Sequence, residues 1–373
     1  MVGTPRKIVN AHPGVLKPLF VSPYGNIGGA QLVLLRIIDA MGEDFEPRAL
    51  VLRDGPLADL LRSRGVPTQV EDLPGKYAIR HFRRTSRRVA RGMAGAGISL
   101  VHANGIKAAV FGLPLARRLG VPLIWMKHDH VLDGLPSVLL ASRCDCVVCV
   151  SHAMASQFPQ RLQGRVAVVY PGADPAPSNL MIGDEQLIVC VGRLDPAKGF
   201  ANLLRATLLL RQRGIGARIV VAGPVDRVHP EHALELEELV RELGLERHAQ
   251  VGWVDDLSDL YGRARVVAIA SPRRRNGSPG EGAPIVLLEG MGYGRPVVAP
   301  REPGIREIVG DAGTFVDDLT PDGLAAALEP YLRDPELARE VGDRGRRRVR
   351  ERFTLAHTVE ELRSVYLGVL DAQ

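Results

Sequence analysis

Two glutamates stand eight positions apart in GEGAPIVLLEGMGYGRPVVAP, residues 280–300: Glu281 in a glycine-rich approach, Glu289 inside the apolar run that follows. An ionised carboxylate among Ile285, Val286, Leu287, Leu288 and Met291 is costly unless donors reach it. Sugar hydroxyls are suitable donors, because each gives a hydrogen bond without adding charge. A solvent-facing glutamate, or one paired with an arginine, is the competing reading. Pro284 is expected as the first helical residue, where its missing N–H costs nothing. Gly282 and Ala283 would then turn backbone donors outward.

Three further stretches carry candidate chemistry. In VGRLDPAKGF (191–200), Arg193 and Lys198 follow an apolar run, with Lys198 expected to open a helix. A planar guanidinium fork, a compact ammonium charge and a helix N-terminus together suit a diphosphate. A solvated strand-end turn is the alternative, although Lys198 is the only lysine after Lys127. In SPYGNIGGAQ (22–31), Gly28 and Gly29 would let the backbone approach a ligand at another helix start. In WMKHDH (125–130), His128 and Asp129 end an apolar run, a functional rim histidine or a surface one.

These residues need a scaffold, and the chain supplies one. Short β-rich runs alternate with helix-length segments from KPLFVSP to RVAVVYPG, which indicates a parallel sheet covered on both faces. ADPAPSNLMIGDEQ interrupts the pattern as a linker, and the alternation restarts at LIVCVGRL. The reading is α/β: two tandem Rossmann-like doubly wound domains facing a cleft, with ligands at strand C-termini. The expected divisions are 1–173, 174–354 and a closing helix at 355–373.

Composition narrows the class. The 373 residues are 46% apolar and 24% charged, with a net charge of +6 carried by 42 arginines and 6 lysines. No run reaches the ~18 uncharged apolar residues of a membrane span, and the N-terminus has no signal-peptide core. Cys144, Cys146 and Cys149 in RCDCVVCVS read as a buried strand rather than a metal site, and a reducing cytoplasm is expected. Walker, G-x-G-x-x-G, H-E-x-x-H and G-x-S-x-G motifs are absent, and no basic stretch carries the interleaved aromatics of a nucleic-acid module.

Gly28-Gly29-Ala30, GRLDPAKG, SP…EGAPIVLLEGMGYGRPVVAP and GIREIV, in this order across nearly the whole chain, resemble the retaining nucleotide-sugar glycosyltransferases of family four, of GT-B fold. The resemblance implies an acceptor domain, then a donor domain, then a helix crossing back to the first. It implies that Glu281 contacts the donor sugar, Glu289 accepts from the ribose, and Arg193 and Lys198 hold the diphosphate. His128 would lie beside the anomeric centre and Gly29, with Gly28, beneath the phosphates. Trp253 and Val254 would border the base, and Gly282, Ala283, Pro284 and Ile285 would line the donor. The expected reaction passes a sugar from a nucleotide diphosphate, by default a UDP-sugar, to a hydroxyl of a saccharide, lipid-linked or natural-product acceptor, with retention and without a metal or other cofactor. A related phosphorylase or epimerase, or a non-catalytic nucleotide-sugar-binding subunit, is the alternative. Two departures stand out: Gln31 where many relatives have Glu, and Pro284 where many have Gly. RRRNGS (273–278) is either a solvated loop or a contact for a phosphorylated acceptor.

One helix has a second reading. Over 79–95, Ile79, Phe82, Ser86, Val89, Ala90 and Met93 share a face, with Arg80, Arg83, Arg84, Arg87, Arg88 and Arg91 around it. It is a domain helix with a solvated arginine face, or a peripheral contact with the inner face of the membrane.

Overall fold

A computed structural model describes residues 14–73, 79–176, 185–274 and 277–372. The chain forms two units: Met1–Cys149 with Ala155–Val169 and Thr358–Gln373, and Val150–Met154 with Tyr170–His357. Along the chain the units change over at 149/150, 154/155, 169/170 and 357/358.

The first unit holds seven strands: β1 (Pro18–Ser22), β2 (Arg48–Val51), β3 (Thr68–Val70), β4 (Leu100–Asn104), β5 (Leu123–Lys127), β6 (Cys146–Cys149) and β7 (Val166–Val168). Their order is β3-β2-β1-β4-β5-β6-β7, and every pairing is parallel. The second unit holds β8 (Leu187–Val191), β9 (Arg218–Ala222), β10 (Ala249–Gly252), β11 (Val266–Ala268), β12 (Val297–Pro300) and β13 (Gly313–Val316). They run in the order β10-β9-β8-β11-β12-β13, again all parallel. Both sheets are doubly wound, and in each the strand order reverses once, between β1 and β4 and between β8 and β11. Ligands of such sheets gather outside the strand C-termini at that reversal.

The period-2 alternation of a strand explains why these runs are apolar throughout. Ile188 and Cys190 of β8 face a core with the helices Phe200–Gln212, Glu231–Glu242 and Pro321–Arg333. Leu187 and Val189 face the opposite core, with Leu257–Arg263, Ile285–Gly292 and Pro303–Val309. A strand buried on both faces has no polar side to show. The cysteines follow the same rule: all four are buried and unbridged, and burial pushes the thiols of Cys144, Cys146 and Cys149 up to about 12.

Two long-range ties set the units' membership. In the first, Tyr366 of the last helix (Leu355–Leu370) meets the buried His102 of β4, with 2.7 Å between Oη and Nδ1, and Arg363 pairs with Asp44 at 2.7 Å. In the second, Glu307 accepts from the His152 and Ala153 amides and from the Tyr170 hydroxyl at 2.6–2.7 Å. That carboxylate ties Val150–Met154 to the second unit.

The basic helix is a domain helix. It spans Ile79–Gly92; the side chains of Ile79 and Arg80 lie outside the described set. Phe82, Val89 and Met93 are buried, and Phe82 packs edge-on against Phe111 of the neighbouring helix Ile106–Leu119. The apolar face thus packs within the unit, and no observation supports the membrane contact. Arg83, Arg84, Arg87, Arg88 and Arg91 face solvent. Among the described residues no helix is long and apolar enough to cross a membrane.

Candidate functional site

In the second unit, the chain leaving β8 turns through Gly192 and Arg193 into a short 3-10 turn, Pro196–Lys198, before the helix at Phe200. Lys198 therefore ends this turn and does not open the helix, which corrects the expectation. Asp195 caps the turn by accepting from the Ala197 amide. Gly199 has φ +69°, and a Cβ there would lie 2.2 Å from the Ala270 carbonyl oxygen. Only glycine lets this turn press against the chain leaving β11.

That contact brings Lys198 to Glu281. Their Nζ and Oε1 are 2.5 Å apart, and the Ser271 hydroxyl donates to the same oxygen at 2.7 Å. Both donors use Oε1. Lys198 and Glu281 are 25% and 16% exposed, dry enough for the pair to be strong and open enough for a ligand. Arg193 is also held by carboxylates, Asp226 at one nitrogen and Asp195 at 3.1 Å from another. Burial favours a neutral Asp226, yet amides of His229 and Val228 and the Arg193 charge overcome it and hold the carboxyl below its usual range.

Glu289 lies in Ile285–Gly292 and is buried, with Oε2 accepting from the Tyr261 hydroxyl at 2.6 Å. The Tyr261 hydroxyl is thus one donor to this buried carboxylate. The helix starts at Ile285, and Pro284 is its N-cap in an extended conformation rather than its first turn. Gly282 and Ala283 precede it, and the Gly282 carbonyl leaves no room for a Cβ on Gly304. Trp253 is 65% exposed, its indole N–H held by Asp255 at 2.7 Å, while Val254 packs on the core beneath. In RRRNGS, Arg273 is engaged by the buried Glu302 at 2.7 Å, and Arg275 and Asn276 lie outside the described residues. A cavity of about 270 Å³ elsewhere in this unit, near Arg218, His248 and Arg263, includes Val254 but none of the four charged candidates.

In the first unit, the turn after β1 leads into the helix Gly29–Ala40, whose N-cap, Gly28, supplies no side-chain bond. Gly28 is extended, with φ −143°, and nothing lies within 4 Å of where a Gly29 Cβ would sit. Glycine here leaves open space at a helix start. Gln31, on the first turn, is buried. His128 follows β5, and its Nε2 lies 2.5 Å from Oδ1 of Asn104, the last residue of β4. Burial lowers the His128 pKa to about 4, against an upward pull from Asp129. The loop beyond is anchored by the buried Lys127, which donates to the Asp129 carbonyl at 2.7 Å and the Asp133 carboxylate at 2.6 Å.

Within one unit, then, the fold gathers Lys198 with Glu281, and separately Arg193 with Asp226; within the other, Asn104 joins His128 to the Ala30 carbonyl, one residue after Gly29. Asn104, Asp226 and Tyr261 were not singled out from sequence. Ser271 appeared there only within a longer motif. Their partners lie 24, 33, 28 and 10 positions away, and no local pattern marks such a pairing.

Comparison with known proteins gives the following. Residues 27–177 match the family model described as Glycosyltransferase Family 4, and residues 176–348 the one described as Glycosyl transferases group 1. The chain is 31% identical over 262 residues to a GDP-mannose-dependent alpha-(1-6)-phosphatidylinositol monomannoside mannosyltransferase of Mycolicibacterium smegmatis, covering 62% of this chain and 67% of that one. It is 35% identical over 231 residues to a D-inositol 3-phosphate glycosyltransferase of Kineococcus radiotolerans, covering 54% of this chain and about half, 51%, of the relative. Among solved structures, Anabaena HepE in complex with UDP and glucose superposes with a TM-score of 0.78 at 22% identity, over 94% of this chain and 99% of that one. A sucrose-phosphate synthase of Thermosynechococcus elongatus does so with 0.77 at 18% identity, over 96% and 100%. At these identities the structural likeness speaks for the fold.

Proposed function

This chain belongs to the group 1 glycosyltransferases, of GT-B fold, and from that premise we propose that it transfers a sugar from a nucleotide diphosphate donor to an acceptor hydroxyl, with retention of anomeric configuration. The observation that carries the reading is the Lys198–Glu281–Ser271 cluster at the C-terminal ends of β8 and β11, beside the reversal of strand order.

The chemical difficulty in such a transfer is the leaving diphosphate, whose charge grows as the glycosidic bond breaks. Arg193 and Lys198 are the cations positioned to meet it, and fixed charges in a partly dry site act without reorganising. Because two cations supply this stabilisation, the proposed reaction needs no metal or other cofactor. Glu281 keeps Oε1 on Lys198 and Ser271 and turns Oε2 to a hydroxyl of the donor sugar, as a positioning group and not a nucleophile. Glu289, fixed by Tyr261, receives the ribose. Trp253 offers an exposed indole face to the base, with Val254 at its edge. Acceptor attack from the face that the diphosphate leaves, with the departing phosphate taking the acceptor's proton, gives retention.

UDP is the donor nucleotide we favour; HepE was crystallised with UDP and glucose, whereas the mycobacterial relative is named for GDP-mannose. The acceptor is a saccharide, lipid-linked or natural-product hydroxyl. No observation supports the phosphorylase, epimerase or non-catalytic readings. Thermal shift with UDP, GDP and ADP, followed by donor hydrolysis with the matching sugars, tests the proposal, since a bound ligand raises apparent stability by mass action. Stabilisation by one nucleotide and slow release of its sugar are expected. Glu281→Gln should lower transfer at least tenfold while leaving nucleotide binding intact, and full transfer activity in that variant refutes the positioning role.

A further inference from the structure

Asn104 ends β4, and its side chain reaches two neighbours at the head of the first unit. Its amide nitrogen donates to the Ala30 carbonyl at 3.1 Å. A carbonyl can only accept, so this contact decides which end of the amide is which. The oxygen end therefore faces the His128 ring, 2.5 Å from Nε2. An amide oxygen is also only an acceptor, so the nitrogen opposite it carries the ring proton. A neutral imidazole has one such proton, which leaves a lone pair on Nδ1.

We propose that Asn104 is a positioning residue that fixes His128 as the Nε2–H tautomer, so that His128 meets its ligand through Nδ1 as a hydrogen-bond acceptor. The ligand atom opposite Nδ1 is then a donor, a hydroxyl of the sugar, and not a phosphate oxygen, because two lone pairs repel. It follows that His128 does not protonate the leaving phosphate. Burial supports the same conclusion by keeping the ring neutral at neutral pH. Asn104 is itself 2% exposed, so its amide has no water to turn toward. Assigning the hydroxyl to a sugar rests on the glycosyltransferase reading, whereas the tautomer assignment does not.

Nitrogen-15 NMR of the full chain with labelled histidine at pH 7 reads the tautomer directly, the His128 signals being identified by their loss in His128→Gln. The expected pattern is pyrrole-like at Nε2 and pyridine-like at Nδ1. Asn104→Asp, which keeps an acceptor toward the ring, should preserve it, and Asn104→Leu should shift both signals toward a tautomer mixture. A wild-type Nδ1–H tautomer, or an unchanged pattern in Asn104→Leu, overturns the assignment; the wild-type spectrum decides even if Asn104→Leu does not fold. Calorimetric binding of UDP and UDP-glucose, or of GDP and GDP-mannose, then tests the hydroxyl. His128→Ala should weaken the sugar nucleotide about tenfold, one hydrogen bond's worth, and leave the bare nucleotide unaffected. Equal losses for both overturn the hydroxyl contact. If the wild type binds no nucleotide at all, the glycosyltransferase reading fails while the tautomer result stands.

Discussion

The buried His102 makes the first unit's stability depend on pH in a way that can be worked out in advance. Its ring is fully buried in β4, between Phe20 at 4.9 Å and Tyr366, and burial, with a smaller push from His128, lowers its pKa from 6.5 to about 3. The lowered value means that the folded state refuses a proton that the unfolded chain accepts. This contribution to stability is therefore present well above pH 6.5 and is lost progressively as the pH falls through 6.5 toward 3. At pH 5 the unfolded chain has gained about 1.5 pH units of protonation, worth about 2 kcal/mol at roughly 1.36 kcal/mol per unit, and at pH 7 the loss is only about 0.2 kcal/mol. In His102→Asn the nitrogen that meets Tyr366 is replaced by an amide atom that does not titrate. That variant loses ring packing at every pH, but its stability should fall about 2 kcal/mol less between pH 7 and 5 than the wild type's. Trp125 is buried in the same unit, so its fluorescence in a Trp253→Phe background follows the unfolding of that unit in urea. Carboxylates and His128 titrate in both proteins and cancel in the difference. Parallel pH dependences in the two proteins would refute the argument.

Other outcomes follow from the same geometry. Tyr261→Phe removes a buried donor from Glu289 and should cost about 1–3 kcal/mol in urea unfolding followed by circular dichroism, with weaker nucleotide binding as the functional signature. Gly199→Ala places a Cβ against the Ala270 carbonyl at φ +69°, so it should destabilise by at least about 1–2 kcal/mol and displace Lys198, read as a reduced thermal shift with the diphosphate nucleotide. In the native protein none of the four cysteines should react with an aromatic disulfide reagent at pH 8, because all are buried with raised pKa values, whereas all four should react in urea.

How much of this was legible in the residues depends on the distance over which each feature is written. The alternation of apolar runs with helical periods is local, and it marked both doubly wound sheets; most of the expected linker, 177–184, lies outside the described residues. Glu281, Arg193, Lys198 and His128 stood out because charged residues at strand ends and helix starts break an apolar pattern. Small errors of register came from local competition. Asp195 caps a 3-10 turn ahead of the helix at Phe200, and Pro284 stays extended as an N-cap. The helix at 79–92 shows the limit of periodicity: an apolar stripe is the same string of letters whether a bilayer or the helix Ile106–Leu119 covers it, and packing chose the helix. The donors for the carboxylates and the partner of His128 belonged to tertiary structure alone. Asp226 reaches Arg193 and Asn104 reaches His128 because parallel strands place their C-termini side by side, and Tyr261 reaches Glu289 because the helices Leu257–Arg263 and Ile285–Gly292 pack against one face of the same sheet. A chain's local pattern determines which segments become strands and helices; which side chains then face one another is decided by the register and order of the sheet, where residues distant in sequence are brought within hydrogen-bond reach.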